Sequence, residues 1–534
     1  MNLLQKKLAA YAPPLGRLPA PGSLLRRLPR RPRFSLVLGV LAALLLAAFL
    51  GAVIALGSNQ LTIVLAGVLI VVPVIFLVST KDLLPLLFVY LLLVQGIGGS
   101  FFHLRLTTWM GSGFAFFFLC RTLMELSNFQ RLRQTRARTG TGSGYVLAAA
   151  ALYLLFFFFG LAIGHATTAQ VISALRFGVP MFGVLLAMYS FELSQARINL
   201  LWTLILVACV CQVPVATYQH FFMMAVIGWD AVVGTFGIGM SPVLVLFSII
   251  SMTYAIARWM RGLMPVWLLA AILLVGMVNI LLGEVKAVLF WLPLSFFLIM
   301  RKRVLKNVFA FLAYGFFLFV FVVGTFLAYK ALYWGESGTS GNTLEEKLNH
   351  TGGYFFDPHE IKYSNGEISR GASLYLWYKD PVPGVLERLV GYGPGASATS
   401  DGTGMGVVAA RYRPLRVNAT ALAALLWDVG ILGTLSFAAM LLYGIVAARR
   451  YLARGQGTPE QDAIIDTSLV TLVLLMSTLI YNRNLVDELS VQLLCFFCLG
   501  CIVQLSRFGA AAAPAAATPA RAGAGAVMKQ TEYV

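Results

Sequence analysis

Arg370 stands in "ISRGASLYLWYKD", beside Gly371 and just ahead of an apolar stretch that predicts a short helix. Arg411, Arg413 and Arg416 follow in "RYRPLR", Lys286 sits in "LLGEVKAVLFWLPL", and Arg176 lies in "ISALRFGVPMFG". Arginine suits phosphate because its planar fork makes bidentate, charge-assisted hydrogen bonds. Among these cations comes "ERLVGYGPGAS", where Gly391, Gly393, Pro394 and Gly395 make a tight turn. Backbone N–H groups in such a turn can cradle a phosphate. The turn lacks the Lys and Ser/Thr of a P-loop, and a purely structural turn is its other reading. The cations also have plainer readings. Arg176 could snorkel to an interface, "RYRPLR" could anchor to lipid headgroups, and Glu284 with Lys286 could be the solvated tip of a hairpin.

Carboxylates are fewer. Asp230 lies in the glycine-rich "GWDAVVGTFG", and Glu284 shares its turn with Lys286. Either could accept a proton. Asp428 in "LLWDVGILG", and Asp487 with Glu488 in "NRNLVDELS", precede apolar runs and could favour the helix N-termini there. The histidines, His103, His165, His220, His350 and His359, show no metal spacing, and no hydrolase-type nucleophile motif is present. Neither a metal nor a cofactor is expected. Cys495, Cys498 and Cys501 in "CFFCLGC" read as small buried residues of a membrane helix, because every cysteine falls in an apolar run.

The elements that must position these groups follow from composition. Of 534 residues, 59% are hydrophobic and 11% charged. Apolar runs of about 20 residues recur, each long enough to cross a bilayer core. Backbone groups in lipid must be satisfied internally, so the runs should be helices. The expected fold is an all-α polytopic membrane protein. Its expected spans are 35–57, 60–79, 83–102, 107–125, 145–164, 170–190, 198–217, 241–257, 263–282, 285–300, 308–333, 429–447, 464–481 and 489–506, about 14 in all. The net charge of +19 does not point to nucleic acid. It gathers in the N-terminal tail and in "QRLRQTRAR", "RKRVLK" and "RRYLAR" between apolar runs, the pattern of the positive-inside rule. Alternating the spans from a cytoplasmic N-terminus puts all four clusters inside. It gives a basic cytoplasmic tail (1–34), transmembrane helices 1–11 (35–333), one large outer loop (334–428), helices 12–14 (429–506) and a low-complexity cytoplasmic tail (507–534).

The order "GEVKAV", "SRGASLYLW", "GYGPG" and "NATALAALLWDVGILG" resembles the O-antigen polymerase and O-antigen ligase superfamily of bacterial inner-membrane glycosyltransferases. The similarity runs from Trp229 to Gly433. The resemblance implies a GT-C-like fold of many helices with one large periplasmic loop. It implies an undecaprenyl-diphosphate-linked oligosaccharide as donor, membrane lipids as surroundings, and a chain-length regulator and a flippase as partners. Arg370 matches the family's loop arginine, and Lys286 sits where the family often has an arginine. Ligases of the family usually carry a histidine and a small polar residue ahead of the final Gly-x-x-Gly; aligned on Gly430 and Gly433, this chain has Ala419 and Thr420 there, without the histidine. That departure favours a polymerase, with a ligase acting on lipid A-core as the nearer alternative and a lipid-linked-sugar flippase as the more distant one. In the polymerase reading Arg370, Lys286 and Arg176 stabilise the leaving diphosphate, and Gly391, Gly393, Gly395, Arg411, Arg413 and Arg416 help to bind it.

Overall fold

The computed structural model describes residues 51 and 78–508, except 103, 105, 127–142, 165, 224–231, 238–240, 334–351, 354, 360, 363–365 and 401–403. The chain divides into two units, 1–74 and 75–534, and all that follows concerns the second. The two terminal tails, the first two expected spans and the "QRLRQTRAR" cluster therefore lie outside the described residues, save for residues 51, 78, 79, 507 and 508.

Apolar runs become helices as the bilayer argument requires. Among the described residues eight helices are long and apolar enough to cross a membrane: Thr80–Phe101, Gly144–Ile163, Gln195–Met223, Ser241–Trp259, Val308–Thr325, Gly430–Arg454, Pro459–Tyr481 and Leu489–Arg507. A ninth is formed if Thr168–Gly178 and Phe182–Ser190, bent by 42°, count as one span. Helices also occupy Leu106–Leu126, Val266–Leu282 and Val288–Val304, which are shorter or carry charges near their ends. The chain is a polytopic, helical membrane protein.

Burial ranks the helices. In the most apolar 18-residue stretches of the 489–507 and 241–259 helices 94% and 89% of the residues are buried, so these helices form the centre, while only 6% of the 308–325 stretch is buried and it lies at the rim. Rings join the centre: Trp202 stacks on Tyr254 with centroids 4.5 Å apart, and Phe497 meets both Trp202 and Phe88. Aromatic pairs of this kind add about 0.5–1.5 kcal/mol beyond their buried area.

One polar insertion interrupts the apolar packing. Residues 232–237 enter between helices, and Gln219 accepts from the N–H groups of Val233 and Gly234 while donating to the Gly234 carbonyl. Gln212 accepts from the N–H of Thr235, whose hydroxyl donates to the Leu92 carbonyl. Leu92 lies in a π-helical turn, Tyr90–Val94, and such a turn disrupts the regular helical ladder. Non-helical backbone buried among helices persists where protein satisfies its polar groups, as the two glutamines do here.

The bundle has two unlike ends. At one, Asp466 accepts from Arg261 at 2.9 Å and from Arg301 at 2.8 Å, tying three helices together beside Lys302 and Arg303. The 430–454 helix also runs toward this end and finishes in Arg449, Arg450 and Arg454. The other end is capped by the segment between the 308–333 and 430–454 helices. Among its described residues the cap has two short antiparallel ladders, Ile361–Lys362 with Glu367–Ile368 and Thr399–Ser400 with Gly404–Met405. Its helices are Arg370–Lys379, Val385–Val390, Val407–Arg411 and Ala421–Asp428. Ile368, Ala372, Tyr392, Val408, Val417 and Trp427 give it an apolar core.

Candidate functional site

Arg370 is the first residue of its helix. Ser369 caps that helix by accepting from the N–H of Ala372. A Cβ on Gly371 would sit 2.9 Å from the Phe356 carbonyl oxygen, so the glycine lets the 355–357 backbone lie against the helix start. Arg370 Nε donates to the Tyr481 carbonyl at 3.0 Å, at the C-terminus of the 459–481 helix where a cation is favoured. Its guanidinium lies 5.8 Å from the Tyr481 ring and 5.9 Å from the Phe355 ring. These contacts fix the arginine where three chain segments meet.

A cleft of about 360 Å³ opens there. Among the described residues three arginines line it, Arg370, Arg416 and Arg483, together with the carboxylate Glu367. Ile368, Thr399, Asn418 and Ala419 also line it. Arg416 comes from the stretch after the Val407–Arg411 helix, and its backbone N–H donates to the Gly366 carbonyl at 2.8 Å. Arg483 comes from the connector before the last helix and pairs with Asp487 at 2.5 Å. Three guanidinium groups around one small cleft suit a ligand with several negative oxygens. Ala419 faces this cleft, whereas Thr420 is buried and caps the 421–428 helix by accepting from the N–H of Ala423.

The other expected residues fall elsewhere. Arg411 is committed to Asp380 at 2.7 Å, a carboxylate with 1% of its side chain exposed, and lies over the Tyr392 ring. It holds the cap together. Arg413 is exposed and does not line the cleft. Arg176 donates to Ser112 Oγ at 2.6 Å and packs over Trp109 and Phe177. Glu284 and Lys286 occupy the turn between the 266–282 and 288–304 helices, with Glu284 at φ +53° and Lys286 exposed. Neither lines the cleft. Trp291, about 7 Å further along that helix, packs edge-on against Tyr481, so this turn belongs to the cleft end. Asp230 lies outside the described residues.

The glycine turn departs from the phosphate-cradle expectation. The N–H groups of Tyr392 and Gly393 donate to the carbonyls of Trp427 and Asp428. Those of Gly395 and Ser397 donate to the Asp428 carboxylate at 3.0 and 2.8 Å. Gly391 donates to the Glu387 carbonyl. The turn is thus an anion nest already filled by a carboxylate of its own chain. Asp428 accordingly does not act as a helix N-cap; it ends the 421–428 helix and turns to the glycine loop. Burial pushes its carboxyl up to about 6, against the pull of the Ser397 and Gly395 N–H bonds. Asp428→Asn is expected to lower stability by about 1–3 kcal/mol, because one buried N–H loses its acceptor. An unchanged melting temperature in detergent would mean the carboxylate does not hold the turn.

Arg483 is a cleft residue that sequence reading passed over. The available signal was "NRNLVDEL", with three charges in six residues directly after an apolar run. Glu488 does serve the helix N-terminus there, accepting from the N–H and hydroxyl of Ser490 at 3.4 and 3.1 Å. Asp487 instead pairs with Arg483. The chain matches no known protein-family model and no curated protein sequence.

Proposed function

We propose that the protein is a glycosyltransferase that polymerises oligosaccharide repeat units carried on a lipid diphosphate. The observation that carries this reading is the convergence of Arg370, Arg416 and Arg483 on one cleft at the capped end of a membrane bundle. In this reading the basic helix ends at Arg301–Arg303 and Arg449–Arg454 face the cytoplasm by the positive-inside rule. The cleft then opens on the outer side of a bacterial inner membrane, where lipid-linked repeat units are joined.

An acceptor sugar hydroxyl attacks the anomeric carbon. The bond between that carbon and the diphosphate oxygen breaks, a glycosidic bond forms, and the hydroxyl proton passes to a carboxylate. Glu367, on the cleft wall, takes the role expected of Asp230 or Glu284. The arginines stabilise the charge developing on the leaving lipid diphosphate, as preorganised cations do. A transporter places its binding charges near the bilayer midplane, whereas these charges gather beneath a folded cap.

The test is reconstitution of the full chain in liposomes with lipid-linked repeat units. A ladder of longer glycans is the expected product. Transfer only to a lipid A-core acceptor would indicate a ligase, and movement across the bilayer without bond formation a transporter; either result overturns the proposal. Reporter fusions in cells are expected to read cytoplasmic after Lys306 and Arg454 and periplasmic near Asn365. A cytoplasmic signal at Asn365 would put the cleft on the wrong side.

A further inference from the structure

A line of charged groups runs inward from the cleft, with two carboxylates side by side between two arginines. Arg483 lines the cleft and holds Asp487 at 2.5 Å. Asp487 is followed by Glu488, whose carboxyl is buried behind the connector helix Asn484–Asp487. Arg176, from the 168–178 helix, acts on Glu488 at longer range, and its guanidinium is held elsewhere by Ser112 and Trp109. Asp428 lies close enough to Asp487 for their charges to interact. The groups facing Glu488 are therefore Ser490 and Asp487 along its own segment and Arg176 across from it.

A buried carboxyl with one weakly acting cation and one carboxylate neighbour is unusual for a purely structural position. Buried carboxylates are normally paired or protonated. We propose that Glu488 is a proton-binding site linked to occupancy of the arginine cleft, with the Arg483–Asp487 pair as the coupling element. The proposal rests on reading the cleft as a polyanion site.

The linkage follows from the order of charges. When a diphosphate enters the cleft, Arg483 exchanges Asp487 for phosphate oxygens, which take its fork bidentately. Asp487 then stands as an uncompensated negative charge beside Glu488. A like charge disfavours the ionised form, so Glu488 takes one proton from solvent. No other bond changes. The resting carboxyl is well placed for this, because burial pushes it up to about 7 while the Ser490 bonds and Arg176 pull the other way. Reciprocity requires that protonating Glu488 also strengthen diphosphate binding. Product release at higher pH is the direction this coupling favours.

The experiment uses the full chain in detergent, with inorganic pyrophosphate as probe. Titration calorimetry in two buffers of different ionisation enthalpy counts protons taken up on binding. Pyrophosphate titrates too, but its contribution is common to wild type and variants, so the difference isolates Glu488. Wild type should take up a larger fraction of a proton per site than Glu488→Gln. Between about pH 8 and pH 6 its affinity should rise up to about tenfold more than the variant's. Asp487→Asn, which removes the coupling charge but keeps Glu488, should lose the same excess. Melting temperatures identify any variant that fails to fold, and either variant alone suffices. Equal proton uptake in wild type and in a folded variant, with pyrophosphate still bound, overturns the linkage and leaves the polyanion cleft standing. Absence of pyrophosphate binding to wild type, or binding unaffected by Arg370→Ala, overturns the cleft reading and the linkage with it.

Discussion

Arg370→Ala is expected to lower polymer formation about 100- to 1,000-fold, the equivalent of about 2.7–4 kcal/mol for a lost preorganised contact to developing charge. The fold should survive. Arg370 sits on the first turn of a capped helix, and its removal leaves the Tyr481 carbonyl beside an open cleft where water can replace the guanidinium. An exposed surface arginine would contribute only about 0–1 kcal/mol, so the size of the effect separates a site residue from a structural one. Arg370→Lys keeps the charge but loses the fork, and an intermediate rate is expected. Arg413→Ala provides the contrast: exposed and off the cleft, it should work at the wild-type rate. The rates would be measured on purified lipid-linked repeat units in liposomes, with melting temperature as the folding check. A folded Arg370→Ala protein polymerising at the wild-type rate would remove Arg370 from the site.

Gly391→Ala should cost about 2–5 kcal/mol of stability and bring down activity through loss of the folded cap. Two penalties combine. Gly391 has φ +82°, where a side chain costs about 1–2 kcal/mol. A Cβ there would also fall 2.6 Å from the Gly430 backbone N, and overpacking costs about 1–3 kcal/mol more. The obstacle is backbone, so no rotamer can relieve it. Gly430, at φ +66°, is equally constrained, since its own Cβ would fall 2.5 Å from the Gly391 N. The two glycines allow the cap to cross the entry of the 430–454 helix at backbone contact. Gly395→Ala isolates the first penalty: φ is +90°, but the nearest atoms are 3.6 and 3.8 Å away. Its loss should be about 1–2 kcal/mol. Melting curves of the two variants in one detergent decide the matter. Equal losses would show that the crossing yields and that only the dihedral matters.

Local signals were legible where the physics is local. The apolar runs placed the helices because a bilayer-length stretch of apolar side chains has few other solutions. "TTAQ" and "TPEQ" carry the capping-box spacing, and Thr167 with Gln170 and Thr458 with Gln461 close such boxes at two helix starts. "ISRGASLYLWYKD" placed Arg370 just ahead of a helical stretch, and the helix is there with Arg370 as its first residue. The bend at Val179–Met181 was not foreseen, although Pro180 sits in it and proline removes a helical donor.

The site was legible only in part, because its members are far apart in the chain. Arg370, Arg416 and Arg483 come from three segments spread over more than a hundred residues, and nothing in their local sequence says they meet. Lys286 and Arg176 have equally suggestive surroundings, yet neither lines the cleft. The glycine turn illustrates the limit most directly. Its residue types announce a nest of N–H donors, and that much was determined by the sequence, since only glycine takes φ from +82° to +96° without strain. Which anion fills the nest was decided by tertiary structure. Asp428 lies more than thirty residues later, and packing of the 421–428 helix beneath the loop delivers its carboxylate before any ligand can arrive. The sequence by itself determined a helical membrane protein with a set of cations in its late segments, because bilayer solvation and backbone sterics act residue by residue. Only the tertiary structure decided which cations share a cleft, because that depends on contacts between side chains whose separation along the chain carries no record of their distance in space.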